Sequence, residues 1–564
     1  MDKKALVKII KPKLEAVYGD KAESVLTGLL ELADKWTSKI DHAPKPKPDQ
    51  ATAFLITYGW AVGREGEKPL KTLKTTLDTH VGDAITDVHL LPVYPWTSDD
   101  GYSVVDHTQV DPALGTWEDI KALGADRNIM LDFVANHISA SSEWFKGWLT
   151  GDKQFDNFFI ERDPAFDESE VVRPRTSPLF HKYVRQNSET GEPQEVEAWT
   201  TFSPDQLDVN VANPKVFLAL TDIMLGYIAS GARTIRLDAI GFLWKESGTK
   251  SIHLPQTHAL MQVWRALVEN LAPGTLLITE TNVPHADNIT YFGDGENEAH
   301  MVYQFALPPL VLDAFVSGQA NILGKWAAGI GPVSPTATWF NFLASHDGIG
   351  MRPSEGLLTE EARQALAARA LAHGGRVSMA TDAHGTERMY ELNVSYLDAL
   401  SEPGAPQAEV IARGLAAHSI LASLVGVPAV YYHSLFGSTG DVAGMEESGI
   451  ARRINRAHLD ADQLAHELSE PGRRAEMLAG LRHLLEVRSQ QPGFDPFASQ
   501  AVSVIDDRAL VVRRAAGTPD EIVAITNVSD QPVSLTGFSG TDVLTGQVLQ
   551  DPVLPPYGYY WLHK

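Results

Sequence analysis

The sequence predicts an α/β protein built on a (β/α)8 TIM barrel, with inserted subdomains, an N-terminal helical extension and a C-terminal all-β domain. Three observations predict it. Eight short apolar runs alternate with longer helix-like stretches from residue 51 to about 490. Such runs read as a parallel sheet covered on both faces, for which closure into an eight-stranded barrel is the natural solution. Before this region, apolar residues recur at helical spacing; after it, short alternating runs are separated by Asn, Asp, Pro and Gly.

In chain order, residues 1–42 read as helical, with Leu14, Val17, Val25, Leu29, Leu32 and Trp36 at roughly helical intervals. APKPKPDQ at 43–50 reads as an extended, exposed strap closing this N-terminal extension. The barrel is expected over 51–496, with strands in AFLITYG (53–59), DVHLLPV (87–93), NIMLDFV (128–134), ARTIRLDAI (232–240), LLITE (276–280), HMVYQFA (300–306), TWFNFLASHD (338–347) and PAVYYH (428–433). The gap after the third run is too long for one crossover helix, so an insertion is expected at about 138–210. The gap after the seventh carries the Gly-rich stretch 372–393, read as a mobile loop with Gly374, Gly375 and Gly385 supplying backbone freedom. Residues 497–564 read as a β-sandwich-like domain closed by YGYYWLHK.

A length of 564 residues fits several average domains or one large barrel with additions. With 47 Lys and Arg against 72 Asp and Glu, the formal charge is −25. Such a surface repels phosphate backbones, which argues against a nucleic-acid partner, and an anionic substrate needs a local basic pocket. There is no cysteine, which excludes disulfides, thiolate metal sites and a Cys nucleophile. No apolar run has the length of a membrane span and the start lacks a signal-peptide pattern, so a cytoplasmic location without membrane partner is expected. The 19 histidines show no metal-ligand spacing.

Barrel active sites lie at the C-terminal ends of the strands. Those ends carry Asp99 and Asp100, Asn136 and His137, Arg236 and Asp238, Glu280, and His346 and Asp347. A ring of carboxylates, imidazoles and an arginine points to glycosyl transfer, in which two carboxylates about 5–5.5 Å apart act as nucleophile and acid/base. Asp238 and Glu280 are the natural pair. Arg236, two residues before Asp238, is expected to keep the nucleophile ionised. Glu280 is expected in a less compensated place with a raised pKa.

LDFVANH (131–137), RTIRLDAIGF (233–242), LLITETN (276–282) and FLASHDG (342–348) resemble, in order, the four signature regions of the α-amylase superfamily. Within it, SDDGYSVVDHTQVDPALGTWED (98–119), RPR (173–175), FALPPLVLDA (305–314), HDGIG (346–350) and RINR (453–456) resemble the sucrose-phosphorylase-type group. The resemblance implies Asp238 as nucleophile, Glu280 as acid/base and Asp347 as transition-state stabiliser. It implies Asp99, His137, Arg236, His346 and Arg456 around a terminal glucose, and Arg175 with the 387–391 segment, including Arg388 and Tyr390, on the acceptor side. It implies neither metal nor organic cofactor, with inorganic phosphate as co-substrate and a glucoside as partner; the group keeps Asn136 but generally does without the calcium it binds in amylases. Homodimers are frequent among such enzymes.

The chain departs from sucrose phosphorylases in its 1–50 extension, in Arg388 where they carry a fructose-contacting Asp, and in Phe242 where they carry Tyr. These features resemble the glucosylglycerate phosphorylase branch. Arg388 reverses the local charge, which favours a small anionic acceptor such as D-glycerate. Arg173, Arg175 and Arg388 are available as cationic donors. Sucrose, sucrose 6'-phosphate or glucosylglycerol as substrate, hydrolysis with water as acceptor, and a non-catalytic relative are the alternatives.

Overall fold

The computed structural model describes residues 2–381 and 386–564. Eight parallel strands close into a barrel: β1 (Phe54–Thr57), β2 (Asp87–Leu90), β3 (Asn128–Phe133), β4 (Ala232–Leu237), β5 (Leu276–Thr279), β6 (Met301–Tyr303), β7 (Thr338–Phe342) and β8 (Val427–Tyr431). Each begins inside one of the eight apolar runs or, for β8, one residue ahead of it, and chain neighbours are sheet neighbours, β8 pairing with β1. Every residue of these strands is buried except Asn128. Burial on both faces is why the runs are continuously apolar instead of alternating.

The N-terminal stretch is two helices, α1 (Lys3–Tyr18) and α2 (Ala22–Thr37), where the sequence reading had one helical run. Gly19, at φ +53°, and a single tight turn over Gly19–Lys21 separate them. Leu6, Ile10, Leu14 and Tyr18 form the buried stripe of α1; Val25, Leu26, Leu29 and Ala33 form that of α2. Pro12 sits inside α1 on its exposed side, where the carbonyl that lost its donor can be hydrated. α1 packs on α4 (Pro255–Leu271) and α2 on α3 (Pro214–Ala229), two helices of the barrel's outer ring. The Tyr18 hydroxyl donates to Val211 O at 2.8 Å and Trp36 Nε1 to Asp222 Oδ1 at 2.7 Å. The 43–50 segment is irregular and mostly exposed, tied down where Lys45 N donates to Pro273 O at 3.1 Å.

The insertion after β3 is pinched at its base by an antiparallel pair, His137–Ser139 with Gln206–Asp208, and holds a helix (Glu143–Leu149) and a hairpin (Phe180–Gln186 with Pro193–Trp199). The Gly-rich stretch read as a loop is largely a second hairpin, Arg376–Thr381 against Glu387–Asn393, with Ile349–Gly350 as a third strand. Gly374 has φ +76°, but Gly375 serves close packing: a Cβ there would meet Asn393 O at 2.3 Å. Gly385 lies outside the described residues.

After the last helix (Arg473–Ser489), the C-terminal region forms a six-stranded antiparallel sheet and a two-stranded sheet (Val533–Ser534 with Val553–Leu554), packed around Val511, Val523, Ile525, Leu535 and Leu554. Trp561, in the closing strand, is fully buried and donates from Nε1 to Ser419 Oγ at 3.0 Å, fastening this region to a barrel helix (Gln407–Ser423). The aromatic tail is therefore packing. No helix among the described residues is long and apolar enough to cross a membrane.

Candidate active site

At the C-terminal mouth of the barrel a cleft opens between strand ends, insertion and second hairpin. Asp132 and Arg236 face each other in the β3–β4 register. The Arg236 guanidinium pairs with Asp132, lies 2.8 Å from Asp238 Oδ1 and 3.6 Å from Glu280 Oε2. His89, on β2, donates to Asp132 Oδ2 at 2.7 Å. One buried cation is thus shared among three carboxylates.

This changes the expected electrostatics. Burial pushes the Asp238 carboxyl well above its ordinary value, Arg236 pulling the other way and Glu280 adding to the rise. Burial also raises Glu280, with Arg236 opposing and Asp347 adding to it. Arg236 does not simply keep Asp238 ionised, because Asp132 already claims much of its charge. The pair is arranged to hold one proton between two carboxyls. Arg236 is closer to Asp238 than to Glu280, which favours the ionised form of Asp238, while the Ala239 N–H favours that of Glu280.

Local backbone aims these groups. Ala239, directly after Asp238, is in the left-handed region at φ 47°, and its N–H donates to Glu280 Oε2 at 3.1 Å. Asp99 and Asp100 also have positive φ, 53° and 50°. For non-glycine residues such conformations cost about 1–3 kcal/mol each and persist only where the surroundings enforce them. Here the enforcement is ionic: Arg456 Nη1 lies 3.1 Å from Asp99 and 2.8 Å from Asp100, and Arg453 lies 2.6 Å from Asp100. Burial alone would raise the Asp99 carboxyl, but Arg456, Arg452 and Arg175 together hold it below its usual value.

The rest of the lining combines neutral imidazoles, aromatic rings and arginines. His346 stacks on Tyr102 at 4.8 Å, and burial with Arg456 and Arg236 holds its imidazole well below its usual pKa. His137 Nε2 donates to Tyr102 O at 3.0 Å, and burial pushes this imidazole down to about 4. Arg452 Nη1 lies 2.6 Å from Asp347 Oδ1, while its other nitrogens grip Glu391 at 3.0 and 2.8 Å. At the entrance Arg175 sits over the rings of Phe202 at 5.4 Å and Tyr390 at 5.3 Å. Phe242 meets Phe202 edge-on at 5.6 Å.

Comparison with known proteins decides the family. An α-amylase catalytic-domain model matches residues 81–341. A glucosylglycerate phosphorylase of Allomeiothermus silvanus is 46% identical over 97% of this chain and 96% of its own. One from Escherichia coli K12 is 40% identical over 97% and 98%. The chain belongs to the glycoside phosphorylases of the α-amylase superfamily. Among solved structures, sucrose 6F-phosphate phosphorylase from Thermoanaerobacter thermosaccharolyticum shares the fold at TM-score 0.73, with 22% identity over 86% of this chain and 95% of that one.

For a glycoside phosphorylase of this superfamily, the sequence-predicted residues divide by position. Asp99, His137, Asp238, Glu280, His346, Asp347, Arg175, Phe242 and Tyr390 all line the cleft. Arg236 and Arg456 do not; they stand behind the carboxylates and set their positions, and Arg456 Nε donates to His346 O at 2.9 Å. Arg388 is exposed and outside the lining. Arg173 folds back onto Ser177 O. Asn136, the residue associated with calcium in amylases, accepts a 2.7 Å hydrogen bond from the buried Lys245 ammonium, which also pairs with Asp208 at 2.7 Å.

Sequence reasoning missed Tyr102, Phe202, Gln206, Asn282, Arg352 and Arg452 in the lining. Arg452 had a signal: it stands directly before the RINR segment, in a run of arginines facing the Asp99–Asp100 turn. Arg352 had none, because nothing local distinguishes it from a solvated loop arginine.

Proposed function

We propose that the protein is a retaining glucosylglycerate phosphorylase. It cleaves 2-O-α-glucosylglycerate with inorganic phosphate, giving α-glucose 1-phosphate and D-glycerate. The observation that carries this reading is the carboxyl pair around one shared guanidinium, inside a chain that matches glucosylglycerate phosphorylases along almost its whole length.

In the first step the Asp238 carboxylate attacks the anomeric carbon, the glycosidic bond breaks, and the Glu280 proton passes to the departing glycerate oxygen. In the second, a phosphate oxygen attacks the same carbon, its proton passes to Glu280, and Asp238 leaves as a carboxylate. Two inversions retain the α configuration. Asp347, clamped by Arg452, takes sugar hydroxyls, and Asp99, His137 and His346 enclose the donor glucose. Arg236 and Arg456 act through the groups they hold. The chemistry needs neither metal nor organic cofactor.

The test is phosphate-dependent release of α-glucose 1-phosphate across 2-O-α-glucosylglycerate, sucrose, sucrose 6'-phosphate and glucosylglycerol. Glucosylglycerate is expected to give the highest kcat/KM. Preference for sucrose would reject the acceptor assignment, and glucose release independent of phosphate would reject the phosphorylase.

A further inference from the structure

Three arginines line the cleft: Arg175, Arg352 and Arg452. Two are already engaged. Arg452 is neutralised by Asp347 and Glu391 and stands 4.0 Å from Asp99. Arg175 is held between two aromatic rings, donates to Pro174 O at 3.0 Å and helps hold the Asp99 carboxyl down. Arg352 makes no ion pair and no side-chain hydrogen bond with any described residue. The lining it shares holds Phe242, Ile252, Asn282 and Val283 as well as the carboxylates of Asp99, Asp238, Glu280 and Asp347, none of which pairs with it.

Its position is fixed by the fold. Arg352 opens a short turn, Arg352–Ser354, after the Ile349–Gly350 strand. Met351 N donates to Tyr390 O at 2.8 Å, so this turn is stitched to the strand carrying Tyr390. His253, whose imidazole is pushed down to about 4 chiefly by burial, also feels the Arg352 charge and adds no positive charge of its own near neutral pH. Arg352 is half-buried in the cleft and makes no ion pair with a described residue, although Asp287 acts on the same His253. A planar fork of N–H donors matches a carboxylate bidentately.

We propose that Arg352 is the specificity-determining residue that binds the carboxylate of the organic acceptor. This rests on the glucosylglycerate reading and moves the anion-recognising role from Arg388 to Arg352. Phosphate uses the same cleft in the other half-reaction, so the two anions must be separated by experiment.

The experiment runs synthesis from α-glucose 1-phosphate with D-glycerate or glycerol, and phosphorolysis at varied phosphate. It compares the wild type with Arg352→Met, Arg352→Lys and Arg388→Ala. Glycerol has the same carbon chain without the charge. For Arg352→Met, kcat/KM on glycerate is expected to fall about ten- to a hundredfold more than on glycerol. Arg352→Lys is expected to keep part of the preference, and the KM for phosphate to move less than that for glycerate. Equal losses on glycerate and glycerol would mean a structural role and overturn the proposal. A raised phosphate KM with glycerate preference intact would make Arg352 a phosphate ligand and overturn it too. So would collapse of the preference in Arg388→Ala alone. A wild type that does not use glycerate removes the functional reading, and the proposal with it; the variant ratios fail independently of that.

Discussion

At the residue scale, the chemistry rests on how one guanidinium is divided. Asp238 is closer to Arg236 than Glu280 is, the contact on which the proposed division of roles between two buried carboxyls rests. Asp238→Asn is expected to abolish turnover, and intact-mass measurement should lose the glucosyl adduct expected of the wild type. Persisting adduct or turnover would remove Asp238 from the nucleophile's role. Glu280→Gln is expected to cost about 10²–10⁴-fold on glucosylglycerate and far less on a glucoside with an activated leaving group. The pH dependence has a definite sign. The pKa of Glu280 is raised by burial, so with Glu280 as the proposed acid, acting protonated, activity is expected to persist above the ordinary carboxylate range and to fall as pH rises through the raised value. With an activated substrate, that alkaline limb should vanish in Glu280→Gln; an unchanged limb would assign it to another group.

At the element scale, the insertion is held by a buried ion pair. Lys245 and Asp208 are fully enclosed, and Asp208 also accepts from Thr201 N at 2.7 Å and from Asn136 Nδ2 at 3.0 Å. Removing one partner strands a buried charge, so Lys245→Met is expected to cost about 3–5 kcal/mol in denaturant unfolding, with Asp208→Asn in the same chain recovering part of it. A loss under about 1 kcal/mol would show that water replaces the ammonium. Gly375→Ala tests the second hairpin. Its Cβ would meet backbone oxygens of Asn393 and Ala370 at 2.3 and 2.8 Å, so the hairpin must shift. We expect lowered stability and a raised KM for both acceptors, since Tyr390 and Glu391 ride on that strand. The barrel strands were legible as apolar runs because each is buried on both faces. This hairpin was not: its glycines read as a loop, and the strand character of ERMYELN went unweighed.

At the scale of the whole molecule, α1 and α2 belong to the same apolar core as the barrel. Removing residues 2–40 would uncover the faces of α3 and α4 that they bury, and would take Tyr18 from its place 6.1 Å from the Trp244 ring. Lower Tm and aggregation are expected, with glucose 1-phosphate chemistry surviving in whatever remains folded. A truncated chain as stable as the intact one would show the extension to be dispensable packing.

What the sequence determined by itself is local: the eight strands, and the carboxylates and imidazoles at their C-terminal ends. Strand periodicity and strand ends are properties of neighbouring residues, so a single chain displays them. What only the tertiary structure decided is the partner of each arginine. Arg456 meets Asp99 across 357 positions and Arg236 meets Asp132 across 104. Those meetings exist only once the barrel has closed. Closure draws Arg236 and Arg456 behind the carboxylates, occupies Arg452 with Asp347 and Glu391, and leaves Arg352 in the cleft, because ion pairing depends on distance in space and not on distance along the chain.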